Sequence, residues 1–194
     1  SIWWSPKIKE VDWDLTYVAV YQASVNTYTV VWENENWEEL EVDENVPYWE
    51  MPEYNWETPT KESDAQYDYT FAWWTPEVVP VTWEATYTAT YTSTVRKYEV
   101  VWDVAWVETM EIYEYGQRPV YKWSTDKMPD VQYTYTFIWW TDGEHDYGKD
   151  DLLPDVVEDV AYTARYQETV RTYTITWVDW DGHTLKVDSV PYTS

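Results

Sequence analysis

The chain repeats itself, and this internal repetition constrains its fold more than any other feature. The block Tyr67 to Thr75 (Tyr-Asp-Tyr-Thr-Phe-Ala-Trp-Trp-Thr) matches the block Tyr133 to Thr141 (Tyr-Thr-Tyr-Thr-Phe-Ile-Trp-Trp-Thr). A second block, Tyr28 to Trp32, recurs 70 residues later from Tyr98 and a further 75 residues later from Tyr173. A long fixed period of this kind is typical of an array of similar structural units.

The repeats divide the chain into four segments. Residues 1–26 are the C-terminal half of a repeat, residues 27–95 and 96–170 are complete repeats, and residues 171–194 are the N-terminal half of another. The second complete repeat carries an insert near residues 142–151. The segments are joined by the short connections Asn26-Thr27, Arg96-Lys97 and Arg171-Thr172 and by no flexible linker. We therefore expect restricted rotation at each joint and a semi-rigid rod.

Alternation of residue types predicts β-strands within each repeat. From Tyr87 to Val95, aromatic and small apolar residues alternate with threonine, which is the pattern of a half-buried strand. The same reasoning predicts four strands in the first complete repeat, at residues 28–32, 38–43, 67–74 and 84–94. Residues 57–65 are the one segment that could carry a short helical turn. The fold class is therefore mainly β, in tandem small units.

The order of motifs resembles a known family of bacterial surface repeats. Tyr28-Thr29-Val30-Val31-Trp32 is followed by an acidic turn, by Val46-Pro47-Tyr48, by Thr58-Pro59-Thr60-Lys61 and by Tyr69-Thr70-Phe71-Ala72-Trp73-Trp74. This order is similar to the Listeria/Bacteroides-type repeats, also called internalin-type B repeats, over nearly the whole chain. The resemblance implies a β-grasp-like sheet in each unit. It also implies tandem stalks or adhesive segments on the outside of bacteria, without catalysis.

Tryptophan stands at many positions where the family that the chain resembles, or a sister repeat, has glycine. Trp49 aligns with Gly116, and Trp37 aligns with Gly182. Asn-Gly and Asp-Gly would be strong hairpin turns, because such turns need a positive φ that glycine adopts freely. We suspect glycine at ten positions, which are Trp3, Trp13, Trp37, Trp49, Trp56, Trp73, Trp83, Trp106, Trp123 and Trp139.

A left-handed backbone at most of these positions would be hard to reconcile with a stable fold. At about 1–2 kcal/mol each, ten such residues would cost roughly 10–20 kcal/mol, against a total stability of about 5–15 kcal/mol. One hypothesis is that the gene uses UGA as a glycine codon that is written here as tryptophan; the alternative is that all 17 tryptophans are genuine. Six lie at regular strand positions and are expected to be real, namely Trp4, Trp32, Trp74, Trp102, Trp140 and Trp177, while Trp180 is undecided.

Charge and composition exclude several kinds of protein. With 12 basic and 37 acidic residues, the net charge is −25, so a nucleic acid would be repelled. The absence of cysteine excludes disulfide scaffolds and thiolate metal sites. No apolar run approaches the ~20 residues of a membrane-spanning helix.

Catalytic and metal-binding patterns are weak. His145 and His183 lie in turn-like segments and are best explained as solvated loop residues, so we expect no enzyme activity. The acids Asp142, Glu144 and Asp146 alternate as in an oxygen-rich calcium loop, but the segment fails as an EF-hand. We therefore expect no cofactor, with these three acids as weak calcium candidates and Asp179, Asp181 and Asp188 as weaker ones.

Three functions remain open. The first is a structural stalk or adhesive segment of an exported bacterial surface protein, whose partners are other repeats or a host or neighbouring-cell protein. The second is a glycan- or protein-binding module in which exposed Trp or Tyr rings form stacking surfaces. The third is a head-to-tail filament in which residues 171–194 of one molecule complete residues 1–26 of the next by strand addition.

Overall fold

The computed structural model describes residues 2–8, 10 and 13–193, and these residues form strands joined by turns and loops, with no helix. The mainly β prediction is confirmed. The helical turn considered for residues 57–65 is absent, and that segment has no regular structure. The strands are β1 (Ile2–Ser5), β2 (Val18–Tyr21), β3 (Thr27–Glu33), β4 (Glu39–Pro47), β5 (Tyr67–Thr75), β6 (Ala85–Val95), β7 (Lys97–Val104), β8 (Val107–Glu114), β9 (Tyr133–Thr141), β10 (Asp146–Gly148), β11 (Val160–Val170), β12 (Thr172–Val178) and β13 (Thr184–Pro191).

The first complete repeat forms a four-stranded sheet in the order β4-β3-β6-β5. Its two central strands, β3 and β6, are parallel, and Trp32 lies opposite Tyr87. Strand β4 pairs antiparallel with β3 at one edge. Because the parallel pair comes from the beginning and the end of the repeat, residues far apart in sequence meet at the centre of the sheet.

The second complete repeat builds the same sheet with one additional strand. The order is β10-β9-β11-β7-β8, and β7 and β11 are parallel, with Trp102 opposite Tyr162. The additional strand β10 lies in the predicted insert and pairs antiparallel with β9. The insert therefore extends the edge of the sheet.

Each complete sheet buries one tryptophan almost fully. Trp32 and Trp102 are 1% and 0% exposed. Each meets a second tryptophan edge to face, Trp74 at 4.9 Å and Trp140 at 5.0 Å between ring centroids. The indole N–H of Trp32 donates to Asp43 at 2.8 Å, and that of Trp102 donates to Glu111 at 2.9 Å. A carboxylate on the neighbouring strand thus satisfies the one polar atom of each buried ring, as burial requires.

The half-repeats form two-stranded sheets whose inner faces are open. Strands β1 and β2 pair antiparallel, as do β12 and β13. Trp177 again donates its indole N–H to an acid, Asp188, at 3.0 Å, yet it is 55% exposed. The same side chain that is buried in a complete sheet is therefore uncovered in a half-sheet.

The described chain divides into two compact units. One comprises Ser1–Glu62 with Tyr69–Thr92, and the other comprises Ser63–Asp68 with Ser93–Ser194. The short segment Ser63–Asp68 belongs to the second unit because it contacts the start of β7. The division into four segments at residues 26, 95 and 170 stays a prediction.

Candidate functional site: repeat joints and exposed tryptophans

The first joint begins with a turn that Asp64 closes with its own side chain. Its Oδ1 accepts hydrogen bonds from the backbone N–H groups of Gln66 and Tyr67, at 2.8 and 2.7 Å. Its own N–H donates to the carbonyl of Tyr67 at 3.1 Å. Aspartate favours this kind of turn because its short side chain reaches the backbone two residues on. The turn presents three carbonyl oxygens toward the chain that follows β6.

Arg96 is the single residue between β6 and β7, and it docks on this turn. Its backbone N–H donates to the carbonyl of Gln66 at 2.8 Å, and its guanidinium donates to the carbonyl of Asp64 at 2.8 Å. The hydroxyl of Tyr98 donates to the third carbonyl, that of Ala65, at 2.5 Å. We call residues 64–66 together with 96–98 the 96 joint.

The same contacts recur one repeat later, where residues 130–132 meet residues 171–173; we call this the 171 joint. The backbone N–H of Arg171 donates to Gln132 at 2.8 Å, and its guanidinium donates to the carbonyl of Asp130 at 2.6 Å. The hydroxyl of Tyr173 donates to the carbonyl of Val131 at 2.5 Å. In both joints the arginine also lies over the following tyrosine ring, at 5.3 and 5.2 Å from its centroid. A connection of one residue is thus fixed by both backbone and side-chain bonds.

Hydrogen bonding at the 171 joint shifts two ionisable groups in opposite directions. The hydroxyl of Tyr135 donates to Asp130, and together with the N–H groups of Tyr133 and Gln132 this lowers the pKa of Asp130 below its ordinary value of 3.8. The same bond raises the pKa of Tyr135 to about 12. The ammonium of Lys127 lies 3.8 Å from the centroid of the Tyr135 ring and also favours the charged carboxylate.

Sequence reasoning located the joints without finding these contacts. It placed Arg96-Lys97 and Arg171-Thr172 between strands, whereas only the arginine lies outside them. The repeated pattern Asp-x-Gln-Tyr, at residues 64–67 and 130–133, is the signal that could have pointed to the turn. The first half-repeat has Asn26 where the joints have arginine.

The weak calcium candidates do not gather into a ligand set in the described part of the chain. Asp142 uses its Oδ1 to accept the N–H groups of Glu144 and His145, and its Oδ2 to accept the hydroxyl of Tyr147 at 3.0 Å. These bonds close the turn between β9 and β10. Asp146 is the first residue of β10, on the far side of that turn.

A different group of acids lies at the β12–β13 turn. The ligand atoms of Asp179, Asp181 and His183 lie within 4.8 Å of one another. The ring Nδ1 of His183 lies 2.6 Å from Oδ1 of Asp181, within hydrogen-bond distance. Oδ1 of Asp179 accepts a hydrogen bond from the backbone N–H of His183 at 2.9 Å. Hydrogen bonds with Asp179 and His183 lower the pKa of Asp181. Both histidines are largely solvated, with 69% of the His145 side chain and 78% of the His183 side chain exposed.

The ten suspect tryptophans are all exposed, and they fall into two groups by backbone conformation. Trp37, Trp49 and Trp106 have positive φ angles of 65°, 73° and 70°. Of the other seven, the six that follow a described residue have no positive φ, so a left-handed backbone is not shared by most of the ten. Their exposed fractions are 48% for Trp3, 56% for Trp13, 82% for Trp37, 66% for Trp49, 73% for Trp56, 62% for Trp73, 71% for Trp83, 89% for Trp106, 50% for Trp123 and 39% for Trp139.

Lysines lie over some of the exposed tyrosine rings. The ammonium of Lys61 lies 4.2 Å from the Tyr69 ring centroid, as Lys127 does over Tyr135. A ring face that carries an ammonium is not free to stack on a sugar. Trp106, by contrast, borders two open clefts that Lys127 also lines.

Comparisons with known proteins add little to this picture. No protein-family model and no curated protein matches the chain. Among solved structures, it is similar to Streptococcal High Identity Repeats in Tandem (SHIRT) domains 3–4 from a cell surface protein, with 11% identity and a TM-score of 0.32, over 75% of this chain and 100% of that one. A TM-score this low assigns neither family nor function. Within the described residues, no helix is long and apolar enough to cross a bilayer.

Proposed function

We propose that this chain is a non-catalytic repeat segment of an exported bacterial surface protein, serving as a stalk or an adhesive spacer outside the cell. The observation that carries the proposal is the exact recurrence of the joint. Two arginines, each alone between two strands, make the same two hydrogen bonds to the same turn, and the tyrosine two residues later makes the third. A chain selected for regular connection between units needs this uniformity, whereas a binding module or an enzyme does not.

The distribution of aromatic side chains also supports a structural role. At the centre of each complete sheet, the paired tryptophan and tyrosine are buried, with Trp32, Tyr87, Trp102 and Tyr162 all 3% exposed or less. Burial raises the pKa of Tyr162 to about 12. A buried and neutral phenol of this kind packs a core and offers nothing to a ligand.

The test is to insert the chain between a membrane anchor and a binding domain displayed on a bacterial surface. A fusion carrying the chain should present the domain to a large surface-bound ligand better than a Gly/Ser linker of equal residue number, which behaves as a flexible coil. A matched fusion with Arg96→Ala and Arg171→Ala should lose part of that advantage. Equal presentation by the chain and the linker would contradict the stalk function.

Glycan or protein binding is the alternative, and the cleft beside Trp106 is the observation that favours it; this alternative requires a genuine tryptophan at position 106. A glycan array and a panel of host surface proteins, probed with the 194-residue chain, separate the two functions. Saturable binding that is lost in Trp106→Ala and retained in Trp180→Ala would establish a binding module. The structural function predicts no saturable binding in either form.

Head-to-tail association is a second candidate, favoured by the open faces of the half-sheets. In the complete sheets, Trp32 pairs with Tyr87 and Trp102 with Tyr162 across the parallel strands. The aligned residues are Trp177, in β12, and Tyr17, the residue before β2. Strand β12 of one copy would therefore lie parallel to residues 17–21 of another, with Trp177 opposite Tyr17. Burial of Trp177 and Ile175, now 55% and 43% exposed, would drive the pairing.

Sedimentation at increasing protein concentration tests this association. Oligomers that grow with concentration are expected, and Thr176→Pro should abolish them because proline removes a backbone donor from β12. The control Trp180→Ala, in the turn beyond β12, should leave them unchanged. A chain that stays monomeric throughout would refute the association and leave the stalk function untouched.

A further inference from the structure

Three tryptophans adopt a backbone conformation that suits glycine. A bulky residue at positive φ is a genuine outlier, because its Cβ crowds the following carbonyl oxygen. Trp37 and Trp49 have φ angles of 65° and 73°, and their aligned partners Gly182 and Gly116 have angles of 90° and 82°. In this chain, the same turn is therefore built once with glycine and once with tryptophan.

The backbone hydrogen bonds of these paired turns are the same. The N–H of Trp37 donates to Asn34 at 2.9 Å, as the N–H of Gly182 donates to Asp179 at 3.2 Å. The N–H of Trp49 donates to Val81 at 2.7 Å, as the N–H of Gly116 donates to Val156 at 2.7 Å. The turn is set by these bonds, so the indole does not determine it. Trp37 is 82% exposed and Trp49 is 66% exposed, so burial of the ring does not offset the backbone strain at either position.

Trp106 extends the pattern to a third turn. It lies between β7 and β8, and the preceding residue, Ala105, also has a positive φ, of 51°. Two successive residues at positive φ form the tight hairpin turn in which glycine is strongly preferred at the second position. Trp106 is 89% exposed.

Trp139, another of the ten positions, lies next to a β-bulge. Arg165 lies opposite Trp139, but the next residue of that strand, Tyr166, lies opposite Phe137, so Ile138 is skipped. Glycine is common at bulges, where the strand bends and two side chains oppose one. Trp73 occupies the aligned position in the first repeat, and its exposed fraction is 62%.

Three of the six tryptophans at regular strand positions behave differently. Trp32, Trp102 and Trp140 are 1%, 0% and 6% exposed and form the centres of the two cores. Trp4 and Trp177, in the half-sheets, are 46% and 55% exposed, so the contrast holds within the two complete repeats. There, one kind of tryptophan packs the core and the other projects into solvent at turns, bends and bulges. Two of the exposed ones, Trp83 and Trp123, each have a ring contact with a tyrosine, at 5.6 and 5.4 Å between centroids.

We propose that the natural protein carries glycine at these ten positions. Its gene would encode them as UGA, which a glycine tRNA of the natural host reads and which is written here as tryptophan. Replacing the ten brings glycine from 4 to 14 residues. That is the ordinary level, since average usage of about 7% gives roughly fourteen in a chain of this length. At the three positive-φ positions, steric strain supports glycine. At the other seven, the support is the exposure of the side chain and its place in the repeat.

Peptide mass spectrometry of the protein isolated from its natural source tests the proposal directly. Glycine is expected in the peptides that span positions 37, 49, 73 and 106, and tryptophan in those that span positions 32, 102 and 140. UGA codons in the gene at the first set and UGG codons at the second are the matching expectation. Tryptophan at positions 37 and 49 in the natural protein would overturn it.

A comparison of recombinant chains provides an independent physical readout. The chain with ten Trp→Gly replacements should unfold at a higher urea midpoint and bind less of a hydrophobic dye than the chain as printed. The matched control replaces the three core tryptophans, Trp32, Trp102 and Trp140, by glycine and should lose the cooperative transition. A ten-glycine chain with a lower midpoint than the printed chain would count against glycine at these sites.

Discussion

At the scale of single residues, position decides what an indole contributes. The same ring stabilises a sheet when it lies between strands and strains a turn when it stands on a left-handed backbone. Trp102 and Trp106 are four residues apart, yet the first is fully buried and the second 89% exposed. Their effects on stability should therefore have opposite signs.

Replacing Trp37 by glycine should stabilise the protein. Relief of the left-handed backbone is worth about 1–2 kcal/mol, and the greater freedom of glycine in the unfolded chain reduces the gain to about 1 kcal/mol. Urea unfolding monitored by far-ultraviolet circular dichroism measures the difference. Trp56→Gly serves as the control, since Trp56 is equally exposed without a positive φ and should gain nothing; a loss of stability in Trp37→Gly would contradict the prediction.

Truncation of aligned core and half-sheet tryptophans should give very different losses. Trp102→Ala removes a buried ring and one of the hydrogen-bond donors to the carboxylate of Glu111, so we expect a loss of about 3–5 kcal/mol. Trp177→Ala, at the aligned position in β12, should cost less than about 1 kcal/mol because the ring is already half in solvent. Urea unfolding of each variant tests this, and equal losses would show that the half-sheet buries Trp177 in solution.

At the scale of elements, alternation was enough to find the strands but not their irregularities. The predicted strands 28–32 and 67–74 match β3 and β5 closely, because residues of one face recur every second position. A bulge breaks this rule: Phe137 and Trp140 both face the core although an odd number of positions separates them. Nothing in local alternation signals which residue a partner strand will skip.

The joints were less predictable, because their contacts join distant parts of the chain. The Asp64 turn and Arg96 are 32 residues apart, and no local pattern links a guanidinium to a particular carbonyl. The exposed positions of Trp37 and Trp49 were foreseeable for the opposite reason. Their sister repeats supply glycine at the same place, so comparison within the chain replaces knowledge of the structure.

Acid should weaken the 171 joint through Asp130. Because the folded pKa of this carboxyl lies below its ordinary value of 3.8, its stabilising contribution is present above that value. The contribution is lost as the pH falls through the folded pKa. Asp130→Asn should therefore lower the melting temperature at neutral pH, and the difference from the unmodified chain should shrink at about pH 3. Thermal unfolding followed at both pH values measures it.

Asp150→Asn is the matched control for this experiment. It removes the same charge from an exposed position in the turn after β10, away from the joint. Its effect on the melting temperature should be small and similar at both pH values. A pH-independent difference for Asp130→Asn would show that the carboxylate does not stabilise the joint through its charge.

At the scale of the whole molecule, charge is the dominant property. A net charge of −25 on 194 residues means that most acids have no basic partner and repel one another. The ion pairs that do form are at the surface, such as Lys61 with Glu35 at 2.6 Å, where each is worth about 0–1 kcal/mol. Repulsion should therefore outweigh attraction in the folded chain.

Salt should stabilise the protein for this reason. Raising the ionic strength from about 0.01 M to about 0.15 M shortens the Debye length from ~30 to ~8 Å and screens the repulsion between acids. We expect the melting temperature to rise, and to rise less in a variant with Asp150→Asn and Glu158→Gln. Differential scanning calorimetry measures both, and a melting temperature that falls with salt would show that ion pairs dominate.

The parallel central strands also determine how a pulling force would act on a repeat. In the second repeat, β7 begins and β11 ends at opposite ends of one hydrogen-bonded pair. Tension applied between residues 97 and 170 therefore loads the pair in shear, and its bonds must break together. Tension between residues 97 and 114, the two open ends of the antiparallel β7–β8 hairpin, breaks bonds one at a time. A higher rupture force for the first geometry, measured on single molecules, would mean that tension applied between the first and last strands of a repeat meets more resistance than tension applied across one hairpin.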